Sequence, residues 1–266
     1  MKETLAGHRA LVTGASGGLG AAIVRRLVTE GMQVVATGRR RELLESLAAD
    51  TGAEVLLCDL AVRSNLGGLL EKVTSVDLLV CNAALPATGP LEDFSVDQID
   101  RALDVNLRAP ILLSRAAAAA MASRGRGHIV FVSSMGAKAV GPSLGVYAST
   151  KAALRALSMA LRQDLHAAGV GVSVIFPGPI RDAGMWAEAG LPTPRGADRS
   201  RAPEAVADAV VAAMARNRAE IEVASPTLRL GAVLAQLRPD WFVALGRRTG
   251  ADELGAKMTA AARENR

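Results

Sequence analysis

The stretch RALVTGASGGLGAAIVRRLVTEG, residues 9–31, joins a short apolar run to a glycine-rich turn and then to a helical pattern. A continuous apolar run of this length is typical of a strand that is buried on both faces of a parallel sheet. The glycines suit a tight turn, where backbone amides and the positive end of a helix dipole face outward. The stretch therefore predicts a strand, a turn that can receive an anion, and a helix.

The same alternation continues along the chain. Six further short apolar runs follow, separated by helical patterns: QVVATG (33–38), EVLLCDL (54–60), VDLLVCNAA (76–84), HIVFVSS (128–134), GVSVIF (171–176) and EIEVAS (220–225). Alternating strands and helices wind a parallel sheet. The sequence predicts an α/β fold of Rossmann type, a doubly wound parallel sheet of about seven strands with helices on both faces.

Composition narrows the class of protein. The chain has 266 residues, half of them hydrophobic, and a formal net charge of +5. Its arginines are scattered, without basic runs and interleaved aromatics, so we expect no nucleic-acid partner. Cys58 and Cys81 lie in apolar runs and lack metal-ligand spacing, so we expect neither a disulfide nor a metal site. No segment is apolar for long enough to span a bilayer, and we expect a cytoplasmic protein.

The end of the second apolar run, VVATGRRREL, indicates which dinucleotide would bind the glycine turn. An acidic side chain there would accept hydrogen bonds from the adenosine ribose and would repel a 2'-phosphate, whereas arginine would attract it. Gly38 stands where the acid is expected, and Arg39 follows it. NADP(H) is therefore favoured over NAD(H).

The segment YASTK contains Tyr147, the only tyrosine of the chain, four residues before Lys151. Residues at i and i+4 lie on the same face of a helix. A phenol is a poor base at neutral pH, and a nearby ammonium favours its ionised form. The pair therefore indicates acid–base chemistry.

Seven motifs in this order resemble those of the short-chain dehydrogenases/reductases over residues 8 to 222: TGASGGLG, CDL, CNAA, DVN, IVFVSS, YASTK and FPGPI. The resemblance implies that Tyr147 donates and accepts the proton and that Lys151 holds the nicotinamide ribose. It implies that Ser134 binds the substrate carbonyl and that Asn106 anchors a water in the proton relay. The residues that it assigns to the cofactor are Gly14, Ser16, Gly18, Leu19, Gly20, Arg39, Asp59, Leu60, Asn82, Pro177, Gly178 and Ile180, together with Tyr147 and Lys151.

The implied activity is NADP(H)-dependent interconversion of a carbonyl compound and an alcohol. Residues 85–91 and 135–143 and a substrate lid at 179–202 are mostly apolar, which favours a lipophilic ketone or aldehyde. Two other functions stay open. One is a non-catalytic protein that senses a dinucleotide, and the other is an enzyme similar to nucleotide-sugar epimerases.

The resemblance covers a single catalytic domain, residues 1–225, and residues 226–266 form an extension. In the extension Leu228, Leu230, Val233, Leu234 and Leu237 fall on one side of a helix that Pro239 ends, and Trp241, Phe242 and Leu245 begin a second apolar surface. We expect residues 226–248 to pack on the lid or on a partner subunit and to close the substrate pocket. Contact with a membrane surface is the alternative. We expect a homodimer or homotetramer.

Overall fold

The structure is a computed structural model that describes residues 5–181 and 201–264. Within these residues seven parallel strands form one sheet in the order β3-β2-β1-β4-β5-β6-β7. The strands are β1 (Arg9–Thr13), β2 (Gln33–Gly38), β3 (Glu54–Leu57), β4 (Leu78–Cys81), β5 (Gly127–Val132), β6 (Val170–Pro177) and β7 (Glu220–Val223). The predicted seven-stranded, doubly wound sheet is confirmed.

Helices cover both faces of the sheet. They are α1 (Gly18–Thr29), α2 (Arg41–Thr51), α3 (Leu66–Val73), α4 (Val96–Leu103), α5 (Ala109–Arg124), α6 (Gly145–Asp164) and α7 (Pro203–Arg216), followed by α8 (Pro226–Leu237), α9 (Pro239–Arg248) and α10 (Ala251–Glu264). Apolar residues of α1, α2 and α7 form the core on one face. Those of α3, α5 and α6 form the core on the other face.

The continuous apolar runs are explained by this double cover. Along β1, Leu11 packs into the core on the α3 side, while Ala10 and Val12 pack into the core on the α1 side. All four residues of β4 and all eight of β6 are buried. Because successive side chains point to opposite faces, a strand covered on both sides needs apolar residues at every position.

The strand order changes direction at β1: β2 and β3 lie on one side of it, and β4 to β7 lie on the other. In an open parallel sheet, ligands bind outside the carboxyl ends of the strands at such a switch point. The glycine turn follows β1 at this place, and the segments after β4 and β5 end beside it. The topology therefore brings together motifs that are far apart in the sequence.

Most of the predicted lid, including Asp182 and Trp186, lies outside the described residues. The two chain ends that flank it lie side by side, since Ile180 and Arg201 form a parallel bridge and the Arg181 amide donates to the Arg201 carbonyl at 3.1 Å. Cys58 and Cys81 are free and buried. In the part of the chain that the structure describes, no helix has the length and apolar character needed to cross a membrane.

Candidate active site

A cleft of about 1230 Å³ opens at the carboxyl ends of the strands. Ser134 borders the cleft. So do all fourteen residues that the family resemblance assigned to the cofactor: Gly14, Ser16, Gly18, Leu19, Gly20, Arg39, Asp59, Leu60, Asn82, Tyr147, Lys151, Pro177, Gly178 and Ile180. Asn106 is not among the described residues that line the cleft. The remaining walls come from the segment after β5 and from the extension.

The glycine turn brings backbone close to backbone. Gly14 has φ +68°, and a Cβ there would lie 2.8 Å from the Ala83 Cα, so only glycine fits. A side chain at Gly20 would overlap the Gly14 carbonyl. Helix α1 follows with Gly17 as its N-cap, which offers no side chain to its free amides, and its first turn holds no acidic residue. This end of α1 is suited to an anionic group.

Thr13 joins the turn to the segment after β4, a role that the sequence analysis missed. Its Oγ1 accepts hydrogen bonds from the Asn82 amide at 3.0 Å and from the Ala83 amide at 3.1 Å. The Asn82 side chain donates in return to the Thr13 carbonyl at 3.0 Å. The only sequence signal for this role is the position of Thr13 between the strand and the first glycine.

The end of β2 carries two arginines with different surroundings. Arg40 donates from Nη2 to the Ser16 carbonyl at 2.6 Å and so holds the glycine turn from outside. Arg39 is exposed at the rim of the cleft, and its guanidinium has no hydrogen bond or ion pair with residues 5–181 or 201–264. Thr37 also borders the cleft, and its buried Oγ1 lacks a partner among the same residues. Arg39 and Thr37 thus leave hydrogen-bonding capacity for a ligand.

Asp59 lies on the same side of the cleft and is held in place. Its Oδ1 accepts from the Ala61 amide at 3.0 Å, and its Oδ2 accepts from Arg101 at 3.1 Å. A Cβ at Gly38 would lie 2.8 Å from the Ser16 Oγ, so the turn and the end of β2 are in close contact. These contacts fix the wall on which an adenosine group would rest.

Ser134, Tyr147 and Lys151 meet in a buried corner of the cleft. Ser134 follows β5 and accepts a hydrogen bond from the Gly136 amide at 3.1 Å, which fixes its hydroxyl. Tyr147 and Lys151 lie one turn apart on α6, and the Tyr147 phenol is near enough to Ser134 for that hydroxyl to influence its pKa. The Lys151 ammonium lies 5.8 Å from the centre of the Tyr147 ring.

Burial dominates the protonation of this corner. It raises the pKa of the Tyr147 phenol, and the nearby Ser134 hydroxyl opposes that rise. Burial also lowers the pKa of Lys151 from 10.5 to about 8. The expectation from the sequence was that the ammonium and the cationic oxidised nicotinamide together favour the phenolate. In the chain without a bound cofactor, burial shifts the pKa of each group more than its neighbours do.

The backbone and a thiol surround Lys151. Its Nζ donates to the Val132 carbonyl at 2.8 Å, and its own carbonyl accepts from the Ser133 hydroxyl at 2.8 Å. Ser133 therefore has a structural contact, in agreement with its position on the opposite strand face from Ser134. Cys81 lies behind the lysine, where burial raises the pKa of its thiol to about 12, so the thiol stays neutral.

Asn106 lies behind the cleft, in a π-helical turn (Asp104–Arg108) between α4 and α5. Its Oδ1 accepts from the Leu85 amide at 2.7 Å, and its Nδ2 donates to the Leu85 carbonyl at 3.0 Å. The same nitrogen is 3.4 Å from the Thr150 Oγ1 on α6. Asn106 thus positions the Leu85 backbone, which borders the cleft, and ties it to the helix that carries Tyr147.

A charge cluster links the segment after Ser134 to the sheet edge. Lys138 is buried and donates to Glu220 at 2.6 Å and to Glu222 at 2.7 Å, and its Nζ lies 4.1 Å from the centre of the Phe176 ring. Arg155, one turn beyond Lys151 on α6, donates to Glu220 at 2.6 Å. The cluster holds the Ser134 segment and α6 against β7.

The extension lines part of the cleft with apolar side chains and with four charged ones, Arg247, Arg248, Glu253 and Lys257. Leu228, Phe242, Leu245 and Met258 border the cleft. Helix α10 contacts the segment after β5, where the Ser143 hydroxyl lies 3.0 Å from the Thr259 hydroxyl. The predicted break at Pro239 separates α8 from α9, as expected.

We expect the buried charge of Lys151 to weaken the fold at neutral pH. Its pKa in the folded chain, about 8, lies below the ordinary 10.5. Between these two pH values the unfolded state binds more protons, so the free energy of unfolding should rise with pH, by at most about 1.4 kcal/mol per pH unit. Lys151→Met should remove this rise.

Chemical denaturation of both proteins across that pH range measures the difference. At pH values well below 8 the two stability curves should run parallel, which serves as the internal control. Parallel curves up to pH 10.5 would contradict a lowered pKa for Lys151.

The described part of the chain contains no cluster of side chains suited to metal binding. Within residues 5–181 and 201–264, no three His, Cys, Asp or Glu side chains come together in an arrangement that could hold a metal ion.

Most of the chain matches a known protein family. The model of the short chain dehydrogenase family matches residues 8–192. The NADP-dependent 3-hydroxy acid dehydrogenase YdfG of Salmonella typhi is 39% identical over 178 residues, which cover 64% of this chain and 71% of that protein.

Two solved structures extend the likeness. A metagenomic short-chain oxidoreductase in complex with NADP superimposes with a TM-score of 0.69, at 32% identity, over 84% of this chain and 97% of the other. The bulky-bulky ketone specific alcohol dehydrogenase of Comamonas testosteroni gives a TM-score of 0.74 at 25% identity, over 89% and 94% of the two chains. With a family model that spans more than half of its length, the chain belongs to the short-chain dehydrogenase family of NAD(P)-dependent oxidoreductases.

Proposed function

We propose that the protein uses NADP(H) to interconvert a lipophilic ketone or aldehyde and the corresponding alcohol, with Tyr147 as the proton donor and acceptor. One observation carries the proposal. Ser134, Tyr147 and Lys151 converge in a buried corner of the cleft that also contains the glycine turn. A phenol beside a fixed hydroxyl, with an ammonium one helical turn away, is suited to proton transfer at a carbonyl oxygen.

The cleft fits a dinucleotide. The close approach at Gly14 leaves backbone where a side chain would block the ligand, and the uncapped end of α1 favours a diphosphate. The unpaired Thr37 hydroxyl and Arg39 guanidinium lie at the end of β2, where the adenosine ribose would rest. When bound, the nicotinamide supplies or accepts the hydride.

Arg39 supports a phosphorylated ribose. Its cation is free among the described residues and stands beside Gly38, so no carboxylate repels a 2'-phosphate there. Two proteins similar to this chain have names that agree with this choice: one is called an NADP-dependent dehydrogenase, and the other was solved with NADP.

The chain's own residues divide the remaining work. Ser134, whose hydroxyl is fixed by the Gly136 amide, donates to the substrate oxygen. Tyr147 gives that oxygen its proton during reduction and takes it back during oxidation. Lys151 stabilises the phenolate that forms, because its positive charge lies one turn away in a site shielded from water.

Asn106 acts on the same site from behind. It holds both backbone groups of Leu85 and reaches Thr150 on α6. Through these contacts it keeps the wall after β4 at a fixed distance from the helix of Tyr147. We assign it as a positioning residue.

The substrate class follows from the walls of the cleft. Beyond the polar corner, the bordering side chains from the extension and from the segments after β4 and β5 are mainly apolar, among them Leu85, Leu144, Leu228 and Phe242. An apolar pocket with few polar groups binds lipophilic molecules and orients them at those groups. The similarity to an alcohol dehydrogenase named for bulky ketones points in the same direction.

An activity screen tests the proposal directly. The substrates are a panel of ketones, aldehydes, steroids, quinones and acyl thioesters, and the change in nicotinamide absorbance measures turnover with NADPH and with NADH. We expect turnover with NADPH and an apolar carbonyl compound. Tight NADPH binding without turnover on any member of the panel would instead favour a dinucleotide-sensing protein.

The cofactor preference has its own test. Arg39→Ala should weaken NADPH binding by about 1.5–3 kcal/mol, the range of a charge-assisted hydrogen bond, and should leave NADH binding nearly unchanged. Fluorescence titration with each cofactor gives the two dissociation constants.

Arg41→Ala is the matched control, because Arg41 lies outside the cleft lining and pairs with Glu45 at 3.3 Å on the surface of α2. It should leave both constants unchanged. Equal losses for NADPH and NADH in Arg39→Ala would show that Arg39 does not contact a 2'-phosphate.

A further inference from the structure

The extension presents an exposed apolar surface, which we call the tail surface: Leu230, Val233 and Leu237 of α8 and Trp241 of α9. Their exposures are 71%, 49%, 72% and 68%. The opposite side of α8 is anchored, since Ala232 is buried and Leu228 packs against the core; the expectation that Leu228 shares one side of the helix with Leu230 was wrong. Leu230, Val233 and Leu237 have the spacing of one helix face. The tail surface is therefore held in place by its own protein yet left open.

Helix α9 is poorly covered by the residues that the structure describes. None of its residues is buried, and Val243 and Leu245 are each 50% exposed. Large contiguous apolar areas are uncommon on soluble monomers and mark interaction sites. The sequence analysis expected this segment to pack on the lid or on a second subunit. Among the described residues α8 packs on the domain, and the tail surface faces outward.

Charge distinguishes a second subunit from a membrane surface as the occupant of the tail surface. Residues 226–250 contain four arginines, at positions 229, 238, 247 and 248, against the single acid Asp240. A two-fold interface places the same patch on both sides, so two copies would bring these cations together. Arg229 already pairs with Glu222 at 4.0 Å, and an anionic lipid surface would attract the other three arginines.

We propose that the tail surface docks on an anionic phospholipid bilayer. Trp241 suits the boundary between apolar and polar layers, because its ring is amphipathic. The Arg238 guanidinium lies 5.7 Å from the centre of that ring, which places a cation beside the aromatic group. Apolar side chains with arginines along their border are the pattern of helices that lie in a membrane interface.

Docking would bring the mouth of the cleft to the lipid. Phe242, Leu245, Arg247 and Arg248 border the cleft and belong to the same helix as Trp241. A lipophilic substrate could then pass from the bilayer into the cleft without crossing water. This consequence rests on the proposed function, whereas the docking itself does not.

Vesicle co-sedimentation of the full chain measures the docking. We expect the protein to sediment with vesicles of phosphatidylcholine and phosphatidylglycerol, and about tenfold less with phosphatidylcholine alone or at high salt. The double variant Leu230→Ser/Leu237→Ser and the double variant Arg247→Gln/Arg248→Gln should each lower the partition coefficient at least about fivefold. The substituted leucines are exposed, so the fold should persist, as thermal unfolding can verify.

The matched control is Val96→Ser, since Val96 is 73% exposed on α4, outside the tail surface. It should bind vesicles like the parent protein. Trp241 gives a second readout: with Trp186→Phe it is the only tryptophan, and its emission should shift to the blue with anionic vesicles.

Light scattering of the same variants without lipid tests the rival occupant. If Leu230→Ser/Leu237→Ser halves the mass of the particle and leaves vesicle binding unchanged, the surface is a subunit interface and the proposal fails. Binding that is equal for neutral and anionic vesicles, or equal for variants and parent, also overturns it. These outcomes are independent of whether any carbonyl compound is reduced.

Discussion

Tyr147→Phe is expected to lower kcat about 10³-fold in both reaction directions, within the range of about 10² to 10⁴ for the loss of a positioned acid–base group. The ring remains, so the packing of Tyr147 is kept. Only the hydroxyl, which lies near Ser134, is lost. The dissociation constant of NADPH should therefore change by no more than about twofold, and the unfolding free energy by about 1 kcal/mol.

Steady-state kinetics and a fluorescence titration with NADPH separate the two effects. Ser149→Ala is the matched control, because it removes an exposed hydroxyl of the same helix that bonds only the Gly145 carbonyl, at 2.8 Å. It should keep the parent rate. A Tyr147→Phe protein that turned over at the parent rate would rule out the proton role of Tyr147.

The pH profile of the parent protein follows from the same phenol. Burial raises its pKa, so the phenol keeps its proton through neutral pH, and carbonyl reduction, which consumes that proton, should hold its rate there. Alcohol oxidation needs the phenolate and should accelerate as the pH rises. Tyr147→Phe should abolish this dependence along with the rate.

The fold could be predicted from the sequence because the central strands β1, β4, β5 and β6 are buried on both faces. The segment HIVFVSS shows why: β5 covers Gly127–Val132, and Ser133 and Ser134 follow it as the segment that turns into the cleft. A continuous apolar run reports a two-sided environment whatever its distant neighbours are. The motifs then fall at the carboxyl edge because parallel strands all end there.

The site was less predictable where a contact joins residues that are distant in sequence. The resemblance assigned Asn106 to a proton relay, but its contact with Leu85, twenty-one positions away, follows from a π-helical turn that no local pattern announces. Arg39 and Arg40 are neighbours with the same chemistry. Only the three-dimensional position of Ser16 explains why Arg40 holds the turn and Arg39 stays free.

The protonation of the corner was also beyond the sequence. The spacing of Tyr147 and Lys151 gave their proximity, and it suggested that the ammonium would favour the phenolate. How far each group is removed from water depends on the walls around it, to which Val132 and Cys81 contribute from different strands. Burial is a property of the folded chain, and here it outweighs the charge of the neighbour.

Removal of residues 226–266 should lower the free energy of unfolding by at least about 3 kcal/mol, since burial of one large apolar side chain contributes about 1.5–3 kcal/mol. The deletion takes away Met258 and Ala232, which are buried, and the packing of Leu228. It also breaks the hydrogen bond from Arg155 to Gln236 at 3.0 Å. Urea denaturation of the truncated and full chains measures the loss.

The same deletion should change the choice of substrate, because it removes the apolar wall formed by Leu228, Phe242, Leu245 and Met258. We expect KM for a lipophilic ketone to rise about tenfold, the equivalent of about 1.4 kcal/mol of lost apolar contact, and KM for a small ketone to change little. A chain that ends at Gly250 is the graded control: it keeps α8 and α9 but loses Met258 and the contact between Ser143 and Thr259. Its effects should fall between those of the parent and the longer deletion. If both deletions left stability and both KM values unchanged, the extension would neither support the domain nor wall the pocket.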